Sequence, residues 1–279
     1  MKEKMNNKIK LKWKNIILIL MFLILFITLN ISIYNIIKCK LDSNKTNEEI
    51  NTIQENTNIE EVKDNKGTEI IKQAEKIPKE NPYWDYIKMN MIDINFDNLK
   101  KINSDVVGWI KVNGTNINYP FVQSKDNKYY LTHSFNKSYN NAGWVFLDYR
   151  NNNINNRNTI IYAHGRTDKT MFGTLRKVLN NGWINNTNNY VIKISTEKEN
   201  SLWQIFSIYH IPTTNDYLQT EFKDEREYQS FLNILKNRSN HNFNTSITSN
   251  DTILTLSTCY NDSEKMVVHA KLIKKQKKY

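Results

Sequence analysis

Residues 16–37 read IILILMFLILFITLNISIYNII, twenty-two consecutive positions without a charged side chain. A run of about 20 apolar residues matches the ~30 Å hydrocarbon core of a bilayer, so this stretch reads as one transmembrane helix. Lys2, Lys4, Lys8, Lys10, Lys12 and Lys14 precede it, opposed only by Glu3. The positive-inside rule then keeps the N-terminus in the cytoplasm and places everything after Lys40 outside the cell. A cleaved signal peptide is the rival reading. The run exceeds the usual 7–15 residues of a signal h-region, and no small-x-small cleavage site follows. Cys39 has no small residues before it, so it is not read as a lipoprotein cysteine. The expectation is an uncleaved single-pass anchor.

The net charge of +11 raises the question of nucleic acid. Its placement answers it. The N-terminal lysines, less Glu3, carry +5, and Lys271, Lys274, Lys275, Lys277 and Lys278 carry another +5. The remainder is nearly neutral and offers no basic face for a phosphate backbone to follow. The two tails are expected to orient the anchor and touch anionic surfaces. Residues 41–80 are polar, rich in Asn, Glu and Lys, and nearly free of aromatics. Such a segment buries too little apolar area to fold alone and reads as a stalk, in part helical. The expected organisation is a basic cytoplasmic tail over 1–15, an anchor over 16–37, a stalk over 38–80 and one domain over 81–279.

Within that domain, short β-branched or aromatic runs alternate with turn residues. They cover Val106–Val112, Ile117–Val122, Trp144–Asp148, Thr159–His164, Tyr190–Ser195, Leu202–Ile211, Thr252–Thr258 and Met266–Ile273. Eight strands at such spacing point to a mostly β fold, a closed or nearly closed barrel. Glu225–Arg238 sets Tyr228, Phe231, Leu232 and Leu235 on one helical stripe. Met171–Leu179 and Phe96–Ile102 read as shorter peripheral helices.

An unpaired cysteine in an exported protein is either an intermolecular link or a reactive thiol. Cys39 sits at the membrane surface and Cys259 in the outer domain, so the two are not expected to pair. Cys259 closes the run TILTLSTC, at a strand's exit into a polar loop; a small buried core residue is the competing reading. Of the five histidines, His210 ends an apolar strand and reads as packed, His241 lies in an Asn/Ser loop and reads as solvated, and His269 reads as structural. His133 is ambiguous. His164 closes NTIIYAH just before a glycine, where strands present functional side chains.

TLSTC, a short loop and a basic residue opening the next strand resemble the sortases, cysteine transpeptidases of Gram-positive bacteria. The stretches VVGWIKVNGTNINYPFVQSKDNKYYLTHSF, GWVFLDYRN and IIYAHGRTDKTMFGTL are similar to class B sortase segments, and helix 225–238 to that class's extra helix. The resemblance implies a sortase-type eight-stranded barrel. It also implies a mechanism in which Cys259 attacks a threonine carbonyl in a C-terminal sorting signal related to Asn-Pro-x-Thr-x. The product is a thioacyl-enzyme. His164 would serve as acid and then base, and the protein would pass to a cell-wall amine or peptidoglycan precursor.

The third sortase residue is an arginine, and its position here holds Lys265. Lysine lacks arginine's planar fork but still offers a charge to an oxyanion. A working lysine variant, an arginine recruited from Arg166, an impaired enzyme and a solvated strand-end charge all remain open. Carried over in the same way, Asn127 and Leu131 would meet the signal peptide, as would Thr213, Tyr217, Leu218 and Ser257; ordinary packing or loop capping is the alternative for each. No cofactor and no metal site is expected, since no Cys/His ligand spacing occurs. Other readings of the activity are a pilus-assembling sortase using a lysine amine, a silent sortase-like module that only binds clients, and a secreted cysteine protease.

Overall fold

Trp13–Glu55 forms one helix, α1. The structure is a computed structural model that describes residues 13–72, 77–152 and 156–278, so Glu3 and the lysines before Lys14 lie outside the described residues. Two units are distinguished, Met1–Asn44 and Lys45–Tyr279. In the first, the large apolar side chains from Ile17 to Ile37 are exposed, and the helix is long and apolar enough to cross a membrane.

The second unit begins with β1 (Ile59–Val62), β2 (Thr68–Ile70), α2 (Tyr83–Tyr86), β3 (Met91–Ile94) and α3 (Asp97–Ile102). There follow β4 (Val106–Val112), β5 (Asn118–Gln123), β6 (Phe146–Leu147), β7 (Asn158–Tyr162), α4 (Asn181–Ile184) and β8 (Val191–Ser195). The chain closes with β9 (Glu199–Pro212), α5 (Glu225–Asn237), β10 (Ile253–Cys259) and β11 (Glu264–Lys277). Eight strands run in the order β10-β7-β6-β5-β4-β8-β9-β11, and pairing of β11 with β10 closes them into the expected barrel. Closure removes the open edges an eight-stranded sheet would otherwise present. Trp109, Phe121, Ile192, Trp203, Leu254 and Val268 fill the interior and are fully buried. On the outside, α5 lays Tyr228, Phe231, Leu232 and Leu235 against Phe206, Tyr209 and Val267. Asp224 caps that helix by accepting from the amides of Arg226 and Glu227.

Two elements differ from expectation for local reasons. The run Trp144–Asp148 contributes only Phe146–Leu147 to the sheet, because the Trp144 amide bonds the Tyr130 carbonyl and Asp148 turns its carboxylate onto Arg150. The helix expected from Met171 is a 3-10 segment over Gly173–Leu179, since Met171 has φ +50° and cannot open an α-helix.

The expected stalk is the larger correction. From Lys45 onward it belongs to the domain's unit, and Thr46, Ile50 and Ile53 are buried there. β1 pairs with β3, and β2 extends the sheet beside β11. The C-terminal lysines are not a free basic tail either. Lys274 is fully buried and donates to Asp64 Oδ1 at 2.7 Å and to the Ile87 and Met89 carbonyls at 2.7 and 2.8 Å. Lys271 is buried and donates to the Ser246 carbonyl, and Lys278 to that of Ile94. A segment too polar to fold alone folds well onto a preformed sheet whose last strand supplies cations for its acids.

A chain starting at residue 81 is therefore expected to melt well below one starting at residue 45. Losing Ile50 and Ile53 alone removes roughly 3–6 kcal/mol of apolar burial, or about 10 °C for a domain of this size. Equal melting temperatures for the two proteins, measured by circular dichroism, would contradict this placement of the segment.

Candidate active site

β7 and β10 run parallel, in register from Asn158 opposite Ile253 to Tyr162 opposite Ser257. Two residues beyond the last pair lie His164, just past the end of β7, and Cys259, the last residue of β10, which the ladder brings to the same rim of the barrel. Their backbones touch. A Cβ on Gly165 would lie 2.1 Å from the Cys259 carbonyl oxygen, so only glycine permits this approach. Thr258 Oγ1 ties the pair further by donating to the Ala163 carbonyl at 2.7 Å. On the other side of β10, the antiparallel register sets Lys265 opposite Cys259, with Nζ 3.2 Å from Sγ. The candidate nucleophile thus has a lysine side chain in direct contact with its sulfur.

His164 donates from Nε2 to the Leu131 carbonyl at 2.8 Å. A carbonyl only accepts, so Nε2 keeps its proton and Nδ1 is the atom free to take or give one. Leu131 is half-exposed beside it. Arg166 is committed elsewhere: it donates to Asp168 at 2.6 and 3.0 Å and to Thr170 Oγ1 at 3.1 Å. The cation the structure brings to the thiol is Lys265.

The remaining candidates are engaged in hydrogen bonds within the protein. Tyr217 and Ser257 are buried and hydrogen-bonded to each other at 2.9 Å. Asn127 donates to Asp148 Oδ2 at 3.0 Å and accepts from the Tyr149 amide. Leu218 offers its carbonyl to Arg150 Nη2 at 3.0 Å. Thr213 donates through both its amide and Oγ1 to the Ser263 carbonyl. Asp148, which holds Asn127 and Arg150, was not among the expected site residues. Its side chain is fully buried, which alone would raise its pKa. The two-pronged Arg150 pair and the Tyr162 hydroxyl outweigh that and hold it below the usual carboxylate range. The signal was present in LDYRN, where one residue separates Asp148 from Arg150, and in YAH, where one separates Tyr162 from His164.

Among the other histidines, His210 is not packed in the core. It pairs with Met266 two residues before the end of β9, where its side chain is 38% exposed, stacked on Tyr260 and bonded to Glu264. His241 is not free in solvent: Nε2 meets the Tyr190 hydroxyl at 3.0 Å, Phe243 covers the ring, and burial lowers its pKa. His133 stacks on Tyr129 and donates Nδ1 to that residue's carbonyl.

His269 is fully buried, as expected of a structural residue. Thr255 spends its proton on Asn158, so His269 Nδ1 donates to Thr255 and Tyr209 donates to Nε2. Burial, with Arg238 nearby, pushes its pKa down to about 3. Above pH 6.5 neither folded nor unfolded chain protonates it, and it contributes nothing. Below 6.5 the unfolded chain takes up the proton first, so stability should fall by about 1.4 kcal/mol per pH unit. Denaturant unfolding at pH 7, 6 and 5 should show His269→Gln with a shallower slope than the parent; equal slopes would refute this.

Among the described residues no group of three His, Cys, Asp or Glu side chains could hold a metal ion. The two cysteines are both free.

The sequence matches the Sortase domain family over residues 110–273. It is 39% identical to Sortase B of Staphylococcus aureus over 184 residues, covering 64% of this chain and 75% of the relative. The fold resembles a Staphylococcus aureus sortase B–substrate complex with a TM-score of 0.60 and 38% identity, covering 64% of this chain and 84% of that one. A sortase B complexed with triglycine matches with the same score and identity, over 64% of this chain and 85% of the other. The barrel, the thiol at its rim and these relatives agree: the chain belongs to the sortase family, in its class B, and is a cysteine transpeptidase.

Proposed function

We propose that this enzyme is anchored in the cell membrane by residues 16–37 and works outside the cell, attaching surface proteins to a cell-wall amine. The observation that carries the assignment of roles is the 3.2 Å contact between Lys265 Nζ and Cys259 Sγ, at the rim where His164 follows β7.

The Cys259 thiolate attacks the threonine carbonyl of a sorting signal related to Asn-Pro-x-Thr-x. The carbonyl π electrons move to oxygen, and the oxyanion develops beside the Lys265 ammonium. As the carbonyl reforms, the threonine C–N bond breaks and the leaving amine takes a proton from His164 Nδ1. A thioacyl-enzyme remains. An incoming amine gives its proton to Nδ1 and attacks the thioester. The C–S bond then breaks, returning the thiolate and leaving a new amide. The exposed Leu131 side chain offers an apolar contact to the signal. Asp148 with Arg150 holds Asn127 and Leu218, and the Tyr217–Ser257 bond holds that pair, as the groove's walls.

Complexes of relatives with substrate and with triglycine support a peptide donor and an amine acceptor as the two partners. The test is a library of sorting-type pentapeptides incubated with residues 45–279, with and without triglycine. Amide transfer with a preference for Asn-Pro-x-Thr-x is expected. Hydrolysis alone would indicate a protease, transfer only to a lysine amine a pilus-assembling enzyme, and no reaction a client-binding module.

A further inference from the structure

Four residues, Tyr260–Ser263, join β10 to β11 and thereby link Cys259 to Lys265. On one face of this hairpin lies the thiol–ammonium contact. On the other, the Tyr260 ring stacks on His210, with centroids 4.6 Å apart and planes 15° apart. The Arg176 guanidinium carbon lies 5.5 Å from the same ring, within cation–π range. His210 Nδ1 bonds Glu264 Oε1 at 2.9 Å, and the Tyr260 amide returns to the Glu264 carbonyl at 2.9 Å. Arg176 Nε is buried with no hydrogen-bond partner. A buried donor left unmade is costly, so the ring contact is kept for a reason other than satisfying the guanidinium.

We propose that Arg176, Tyr260, His210 and Glu264 form a positioning clamp that fixes the β10–β11 turn and so keeps Lys265 Nζ on Cys259 Sγ. A lysine ammonium is a single point on a flexible four-carbon stem. It gains more from a rigid backbone than a two-pronged guanidinium would. None of the clamp residues touches the reacting atoms; they act through Lys265, and the proposal rests on the Cys259–Lys265 reading above.

A double-mutant cycle in peptide transfer tests it. Tyr260→Ala should lower kcat about tenfold with KM near the parent value, and Arg176→Ala about threefold. Tyr260→Phe should keep kcat, because the ring rather than the hydroxyl makes the stack. In a Lys265→Ala background, Tyr260→Ala should cost less than twofold more. Melting temperatures verify that each variant is folded. Additive losses in the cycle, a folded Tyr260→Ala with parental kcat, or failure of Tyr260→Phe to rescue would each overturn the clamp. Parental kcat in Lys265→Ala alone would instead refute the reading beneath it, and the clamp would fall with it.

Discussion

Cys259→Ala is expected to bring peptide transfer down to background, a loss of at least ~10⁴-fold, because no other group at the rim can form the acyl intermediate. The loss should be purely chemical. Cys259 is partly exposed at a strand end, so trimming it to alanine leaves no interior cavity and should hardly move the melting temperature. His164→Ala should cost ~10²–10⁴-fold, the usual worth of a general acid–base group. The Leu131 carbonyl it leaves behind lies at the surface and can bond water instead. Steady-state transfer rates for both variants, with melting curves beside them, decide the matter. Normal turnover in folded Cys259→Ala would remove the nucleophile from this account; normal turnover in His164→Ala would remove the base.

Lys265→Ala is expected to lose ~10²–10³-fold, the cost of deleting one oxyanion-stabilising group. Two effects combine. The thiolate loses its 3.2 Å ammonium partner, and the developing oxyanion loses its nearest cation. Lys265→Arg should keep or raise turnover, since the fork can reach sulfur and oxyanion together. Lys265→Gln retains a donor without charge and should fall between alanine and the parent. Arg166→Ala should leave kcat unchanged through charge, as its guanidinium is already spent on Asp168 and Thr170. Parental turnover in Lys265→Ala combined with a large loss in Arg166→Ala would move the cation to Arg166.

The barrel was legible because its strands are β-branched runs whose interior side chains are buried for their own sake. Val106–Val112 appears with unchanged bounds, and TLSTC ends β10 at the thiol. The rim was legible in part, because His164 and Cys259 each close such a run. What the sequence hid depends on partners distant along the chain. β2 has only three residues and one large apolar side chain, yet its Glu69 pairs with Lys275 of β11, some two hundred positions away. Lys274 reads as a tail charge until the strand carrying it is seen to be buried. His210 looked like core because its strand does, and that its ring meets Tyr260 and Glu264 near the strand's end is a tertiary fact. Asn127 and Ser257 were named only through the resemblance to class B sortases. That their polar groups are spent on Asp148 and Tyr217 was not legible, since each bond joins separate strands or loops.

The central claim is a covalent relay through one sulfur. Intact-mass analysis of residues 45–279, quenched with acid after mixing with an Asn-Pro-x-Thr-x peptide, tests it directly. A mass increase equal to the acyl fragment ending in threonine is expected, mapped by digestion to Cys259 and absent from Cys259→Ala. Added triglycine should clear the adduct and yield the ligated peptide. Ligated product forming with no adduct on Cys259, even in Lys265 or His164 variants that slow its release, would contradict it.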